Sequence, residues 1–185
     1  MDRPERADAA RNREAILTAA AALFERAGTS VSMADVARAA GVGKGTVFRR
    51  FGDRTTLVQE VLRPRVTALR ASIESGPPPL GPGAAPSTAL HAYLDALFDF
   101  VWTGRPLIRA LEHRAPHAYY ANEPSRFWIA ELTRRLARAH PRADAEYLAH
   151  AVFTALRADV IEYLITEKHM PEERIRAGVH ALAGR

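Results

Sequence analysis

Apolar residues recur every three or four positions through most of the chain, and no stretch of any length alternates strictly between apolar and polar residues. This spacing is typical of amphipathic helices, so the sequence predicts an all-α protein of about nine helices. The first helix is expected over residues 7–27, and Gly28 ends it as a left-handed C-terminal residue would. Its apolar stripe consists of Ile16, Ala20, Leu23 and Phe24.

Two short helices joined by a glycine-containing turn are predicted next. Ser32 and Asp35 have the spacing of a capping box, which favours a second helix over residues 33–40. The turn occupies residues 41–43, because glycines on both sides of one valine allow the chain to reverse sharply. A third helix then follows over residues 44–51.

A fourth helix is predicted to begin after Asp53, whose side chain suits the N-cap position. Pro64 lies inside this helix and lacks the N–H that would bond to the carbonyl of residue 60, so a kink or break is expected there. The proline could serve as a hinge or simply sit in a bent helix. Residues 76–86 contain five of the twelve prolines and are expected to form a loop.

The C-terminal half is expected to be helical as well. Its predicted helices cover residues 87–103, 106–114, 125–139, 143–168 and 171–182. The chain is thus divided into an N-terminal unit, a connecting helix, a loop and a C-terminal unit, at 1–53, 54–75, 76–86 and 87–185. The helix over 143–168 is apolar on more than one side, which favours a contact with a second copy of the chain. The residues expected at that contact are Ala151, Ala155, Ala158, Ile161, Ile165, Ile175 and Val179.

Composition narrows the class of protein. The chain has 185 residues, 48% of them hydrophobic and 25% charged, which is typical of a globular protein. With no cysteine, thiol catalysis, Cys-ligated zinc and iron–sulfur clusters are excluded. The longest apolar run, residues 15–24, is too short to span a bilayer and lacks a signal-peptide cleavage pattern. We therefore expect a cytoplasmic protein without membrane contact, and no cofactor or metal.

The positive charge is concentrated near the N-terminus. The first 70 residues hold 13 basic and 8 acidic side chains, whereas the remaining residues hold 13 of each, and the net charge is +5. A basic segment attached to a neutral one favours binding of a polyanion such as nucleic acid. The preference for Arg over Lys could also reflect the base composition of the genome.

The second and third helices have the arrangement of a helix-turn-helix, in which the second helix of the pair enters the major groove of DNA. Val47 and Phe51 lie four residues apart on the third helix and are expected to face the core. The outer surface is then left with basic, hydroxyl and aromatic side chains. Arg can bind a guanine edge through two hydrogen bonds, and Lys at a helix start suits a phosphate.

Residues 32–58 resemble the signature of the TetR family of bacterial transcriptional regulators almost throughout, and the resemblance covers about the first 65 residues. It implies phosphate contacts from Ser32 and Arg54 and groove contacts from the third helix. Phe48 stands where the family often has Tyr, so it can offer only apolar contact. The full set of expected DNA-binding residues is Ser32, Lys44, Gly45, Thr46, Phe48, Arg49, Arg50 and Arg54.

The resemblance further implies a homodimer that binds a double-stranded DNA operator and releases it when a small molecule binds. Most of the aromatic residues fall in the C-terminal unit, where they could form an apolar pocket with a few polar groups, or ordinary core. The residues expected at the ligand are Leu94, Phe98, Trp102, His113, Phe127, Trp128, Phe153 and Arg157. Glu131 is a further candidate for orienting a ligand. Arg157, if buried, should have an acidic partner or a ligand.

Other functions fit the same residues less well. Residues 41–46 superficially resemble a phosphate-binding P-loop, but Arg38 and Gly45 occupy positions where that motif needs Gly and Ser or Thr. His113 and His117 lie four apart, but Pro116 breaks the helix that would bring them together at a metal. Two alternatives are a helical small-molecule-binding protein or enzyme without specific DNA binding, and a nonspecific nucleoid-type binder.

Overall fold

The computed structural model describes residues 3–112 and 117–184, and all regular structure in these residues is helical. The all-α prediction is therefore confirmed, with ten α-helices and one short 3₁₀ turn in the described part of the chain. The N-terminal elements are α1 (Arg3–Ala27), the 3₁₀ turn (Gly28–Ser30), α2 (Met33–Ala39), α3 (Lys44–Phe51) and α4 (Arg54–Ser75). The C-terminal helices are α5 (Pro86–Glu112), α6 (Ala118–Ala121), α7 (Glu123–Ala139), α8 (Ala145–Ala155), α9 (Ala158–Thr166) and α10 (Glu172–Ala183).

Two separate apolar cores form. The N-terminal core packs α1, α2, α3 and the first half of α4 around side chains such as Ile16, Phe24 and Val47, all fully buried. The C-terminal core packs α5, α7, α8, α9 and α10 around Leu94, Leu132 and other buried residues. Burial of this many apolar side chains is the main favourable contribution to folding.

Helix α5 belongs to both cores. Its first two-thirds packs in the C-terminal core, while Leu107 and Ala110 near its end are buried in the N-terminal core. A second connection between the two parts of the molecule thus runs alongside α4. The sequence predicted only α4 in this role.

Neither of the two prolines that lie inside helices breaks its helix. The structure has one continuous α5 through Pro106, where two separate helices were expected, and α4 also runs unbroken through Pro64. Pro106 removes the N–H that would bond to the carbonyl of Trp102. The guanidinium of Arg105 donates to that carbonyl instead, at 2.9 Å, so the orphaned acceptor is satisfied.

The predicted single helix over 143–168 is wrong, because the chain breaks into α8 and α9. Arg157 is extended, with φ −61° and ψ 141°, and caps the start of α9. The carboxylate of Asp159 accepts from the N–H of Val160 at 2.9 Å and from the guanidinium of Arg157 at 2.9 and 2.7 Å. An acidic side chain in the first turn stabilises a helix N-terminus, so these contacts favour a new start at this point.

A buried arginine of α7 binds the proline-rich loop of residues 76–86. Arg135 is only 5% exposed, and its guanidinium donates to the carbonyls of Leu80 in the loop and Ala89 in α5, at 2.6 and 2.7 Å. It also donates to the carboxylate of Glu131 at 2.7 Å. A buried cation with all three partners in place fixes the loop to the body of the domain.

Candidate DNA-binding surface and ligand cavity

The start of α2 is fixed by a complete capping box. The Ser32 hydroxyl accepts from the N–H of Asp35 at 3.2 Å and donates to its carboxylate at 2.6 Å, and the Ser32 N–H donates to the same carboxylate at 3.0 Å. The hydroxyl and the N–H of Ser32 both lower the pKa of Asp35, and the charge of Arg38 adds to this. The sequence predicted this cap. The Ser32 hydroxyl, which was expected to contact a DNA phosphate, forms the hydrogen bonds of the cap.

Replacing Ser32 by alanine should raise the pKa of Asp35 toward its ordinary value, because the hydroxyl contributes the largest share of the lowering. Carboxyl-detected NMR titration would measure the change. Arg38→Ala is the matched control and should raise the same pKa by less. An unchanged Asp35 pKa in Ser32→Ala would contradict the capping geometry.

Helix α3 follows a tight turn and begins at Lys44, and its N-cap residue, Gly43, offers no side-chain cap. Val47 and Phe51 are buried in the N-terminal core, as predicted, so their spacing fixes which side of the helix faces outward. A side chain at Gly45 would meet no protein atom within 4 Å. The surface at the start of α3 is therefore open to close approach by another molecule.

The outward side of α3 is basic and partly aromatic. Lys44, Phe48, Arg49 and Arg50 are exposed, and Thr46 is half-buried. Phe48 is 41% exposed, and the Lys44 Nζ lies 5.7 Å from its ring centroid.

The two adjacent arginines of α3 differ in their contacts. The Arg50 guanidinium donates to the carbonyl of Ala9 in α1 at 2.5 Å, so it is anchored to the neighbouring helix. Arg49 is exposed and makes no hydrogen bond or ion pair with the described residues. Its full hydrogen-bonding capacity is left for solvent or for a ligand.

Arg54 occupies a structural position, unlike the expected phosphate contact. Its guanidinium donates to the carbonyls of Val31 and Thr29, each at 2.9 Å, and to that of Ala110 in α5 at 3.4 Å. It also lies 5.0 Å from the ring centroid of Phe24. The geometry therefore favours Arg54 as a link between the 3₁₀ turn, α1 and α5 over a contact with DNA.

A cavity of about 590 Å³ lies between α4, α5, α6, α7 and α8. Its volume is in the range that small-molecule sites occupy. Of the predicted ligand residues, Trp128 and Phe153 line it. Sequence reasoning missed the whole side formed by α4, because a helix that connects two domains gives no local signal that it borders a cavity. Those α4 residues are Thr55, Gln59, Glu60, Leu62, Arg63, Val66, Thr67 and Arg70.

The other predicted ligand residues lie elsewhere. Leu94 and Phe98 are buried in the C-terminal core, and Trp102 packs under Arg105 at 4.0 Å. Phe127 lines a different cavity, of about 570 Å³, beside the proline-rich loop. His113 lies outside the described residues.

Arg157 has the acidic partner that the sequence predicted for it. The partner is Asp159, and the Arg157 guanidinium also lies 4.9 Å from the ring centroid of Tyr119. Hydrogen bonds from Arg157 outweigh burial and lower the pKa of Asp159. Glu131, the further ligand candidate, pairs with Arg134 and Arg135.

The residues expected at a dimer contact are mostly buried within one chain. Four of them belong to the C-terminal core and present almost no surface: Ala158, Ile161, Ile175 and Val179. The other three are half-buried: Ala151, Ala155 and Ile165. The large apolar side chains that α8, α9 and α10 do expose are Tyr147, Tyr163 and Leu182.

Residues 3–112 and 117–184 contain neither a membrane-spanning helix nor a metal-binding cluster. No helix there has both the length and the apolar character needed to cross a membrane. Nor do these residues bring together three or more His, Asp or Glu side chains that could hold a metal ion.

Comparison with known proteins adds a family resemblance. A sequence model described as bacterial regulatory proteins, tetR family, matches residues 16–61. The HTH-type transcriptional regulator SAR0097 of Staphylococcus aureus (strain MRSA252) is 37% identical over 75 residues, which cover 39% of each protein. The matched part thus spans well under half of that relative.

Two solved structures share the fold over nearly the whole chain. One is a TetR-family transcriptional regulator from Rhodococcus sp., with a TM-score of 0.66 and 20% identity over 93% of this chain and 96% of that one. The other is NalD, the secondary repressor of the MexAB-OprM multidrug efflux pump in Pseudomonas aeruginosa, with a TM-score of 0.57 and 22% identity over 95% of each chain. At these identities the likeness concerns the fold.

Proposed function

We propose that this chain, whose N-terminal part resembles the tetR family of bacterial regulatory proteins, is a transcriptional regulator of that family that reads an operator with α3. The observation that carries the proposal is that α3 has one apolar, buried side and one basic, exposed side. Val47 and Phe51 hold the helix in the core, while Arg49 stands exposed without a partner among the described residues. A guanidinium placed in this way can form paired hydrogen bonds with guanine in the major groove.

The proposed active form is a homodimer. Two α3 helices related by a twofold axis would enter successive major grooves about 34–36 Å apart, and the operator would be a pseudo-palindrome. The exposed apolar side chains Tyr147, Tyr163 and Leu182 support a contact through α8, α9 and α10. This set replaces the buried residues that the sequence suggested for the interface.

Regulation by a small molecule is proposed to act through α4 and α5. Both helices border the 590 Å³ cavity, and both continue into the N-terminal core. A ligand that prefers one spacing of these helices shifts the population of DNA-binding conformations, with a coupling of about 1–3 kcal/mol in typical cases. Release from DNA on ligand binding would make the protein a repressor, which is also what NalD is in Pseudomonas aeruginosa.

Selection of bound sites from random double-stranded DNA tests the proposal. We expect enrichment of a pseudo-palindrome whose half-site centres lie about one helical turn, or a multiple of it, apart. The selection is run at about 0.15 M salt, because nonspecific phosphate binding weakens steeply with salt. A nonspecific binder would enrich no sequence, and a ligand-binding protein without DNA function would retain no DNA, and either result would end the proposal.

A further inference from the structure

A serine hydroxyl that makes no hydrogen bond with the described residues lies at one end of the 590 Å³ cavity. Ser125, in the first turn of α7, lines the cavity and is only 7% exposed. Its N–H donates to the side chain of Asn122 at 2.9 Å, but its hydroxyl makes no hydrogen bond with the described residues. Since the hydroxyl oxygen is not fully buried, it can be reached from the cavity by water or by a hydrogen-bonding group of a ligand.

Arg70 of α4 lies at the same end of the cavity. Its guanidinium packs over the ring of Phe127 at 4.1 Å, and its Nε is buried without a hydrogen-bond partner. Its ion pair with Glu123 at 2.6 Å is the only one that it forms with the described residues. Arg70, its partner Glu123 and Ser125 all line the cavity, and the last two lie in the first turn of α7.

The partner of Arg70 is easily replaced. Glu123 is 62% exposed, and an ion pair with so exposed a carboxylate contributes at most about 1 kcal/mol to stability. An incoming carboxylate could bind the buried side of the guanidinium, where hydrogen bonds between charged groups are stronger. The N-terminus of α7, a helix of 17 residues, also favours an anion here.

Apolar side chains form much of the rest of the elongated cavity, beside polar ones such as Thr55, Gln59 and Glu60. Side chains such as Leu62, Val101, Trp128 and Phe153 line it. It follows α4 from Thr55 to Arg70, and these residues lie about 22 Å apart along a helix with a rise of 1.5 Å per residue. A long hydrocarbon or ring system suits this shape better than a compact polar molecule.

We propose that the cavity binds a lipophilic carboxylic acid, with its carboxylate held by Arg70 and the Ser125 hydroxyl and its apolar part lying along α4. This rests on the proposed function only in that the same cavity is the one assigned to the effector. Glu123 competes with the ligand for Arg70. It therefore sets the affinity without contacting the apolar part.

Three probes of equal chain length test the charge of the ligand: dodecanoate, 1-dodecanol and dodecyltrimethylammonium, each below the concentration at which it aggregates. Trp128 reports binding through its fluorescence in a Trp102→Phe background, since Trp102 does not line the cavity and the chain has two Trp. We expect dodecanoate to bind at least about tenfold more tightly than dodecanol, because a charge-assisted hydrogen bond contributes about 1.5–3 kcal/mol. The cation should bind most weakly.

Variants at the polar end separate the contributions. Arg70→Gln should remove the preference for dodecanoate while leaving the dodecanol affinity unchanged, and Ser125→Ala should weaken dodecanoate alone by about threefold. Glu123→Gln should strengthen dodecanoate binding, because the competing carboxylate is gone. If Arg70→Gln does not fold, Glu123→Gln still tests the proposal.

Several results would overturn the inference. They are equal affinity for dodecanoate and dodecanol, a preference for the cation, no binding of any probe, or weaker dodecanoate binding in Glu123→Gln. All measurements use the protein without DNA, so they stand apart from the test of DNA recognition. If dodecanoate binds as expected but does not release the selected operator, the proposed regulation fails and the carboxylate site remains.

Discussion

Arg49→Ala should lower the affinity for the selected operator by about 5-fold to 150-fold at 0.15 M salt, while the protein stays folded. A bidentate contact between Arg and guanine contributes about 1–3 kcal/mol of discrimination, and Arg49 has no hydrogen bond or ion pair with the described residues to lose. Electrophoretic mobility shift or fluorescence anisotropy on the selected sequence and on a scrambled one would measure both affinity and preference. The preference for the selected sequence should fall with the affinity.

Controls for this experiment come from within the chain. Arg142→Ala removes the same charge from an exposed position between α7 and α8, and it should change operator affinity little. Arg50→Ala removes the anchor to Ala9 as well as a charge, so its effect combines two causes. The double variant at positions 49 and 50 should abolish specific binding. An Arg49→Ala protein with unchanged affinity would refute the assignment of α3 as the reading helix.

Arg135→Met should lower the free energy of unfolding by about 3 kcal/mol. Breaking a buried ion pair by removing one partner costs about 3–5 kcal/mol, and here the carbonyls of Leu80 and Ala89 also lose their donor. The low end of the range applies because Arg134 still pairs with Glu131. Urea unfolding followed by circular dichroism would measure the difference.

Arg134→Met is the matched control for that experiment. Arg134 contacts the same carboxylate but is 50% exposed, so its loss should cost less than about 1 kcal/mol. Equal effects of the two substitutions would show that burial of Arg135 does not stabilise the loop.

The effect of Arg135→Met should depend on pH in a defined direction. Burial acts to raise the pKa of Glu131, but hydrogen bonds from Arg134 and Arg135 and their charges outweigh it, so the pKa lies below its ordinary value. A carboxyl with a lowered folded-state pKa contributes stability above its unfolded pKa and loses it as the pH falls through the folded one. The difference between wild type and Arg135→Met should therefore be largest near neutral pH and shrink in acid.

The N-terminal unit was predictable because its signals are local. The capping box of Ser32 and Asp35, the glycine turn and the spacing of Val47 and Phe51 each involve residues within a few positions of one another. The role of Arg54 was not predictable in this way. Its partners include a carbonyl of α5, 56 residues further along the chain.

The C-terminal half was harder to predict because side chains decide its details. The continuity of α5 depends on Arg105 satisfying a carbonyl that Pro106 leaves free, and the start of α9 depends on Asp159. Helical spacing alone is blind to both contacts. The cavity is likewise formed by tertiary contacts, and for that reason only Trp128 and Phe153 of its lining were anticipated.

The burial of Leu107 and Ala110 in the N-terminal core bears on how chimeras of this protein could be designed. A chimera that exchanged only the residues up to the end of α4 would separate the N-terminal core from Leu107 and Ala110, which complete its interior. In the chimera, the transferred N-terminal core would then contact residues of the other protein at this position, or leave a cavity there. A transferable N-terminal domain should therefore include the last turns of α5.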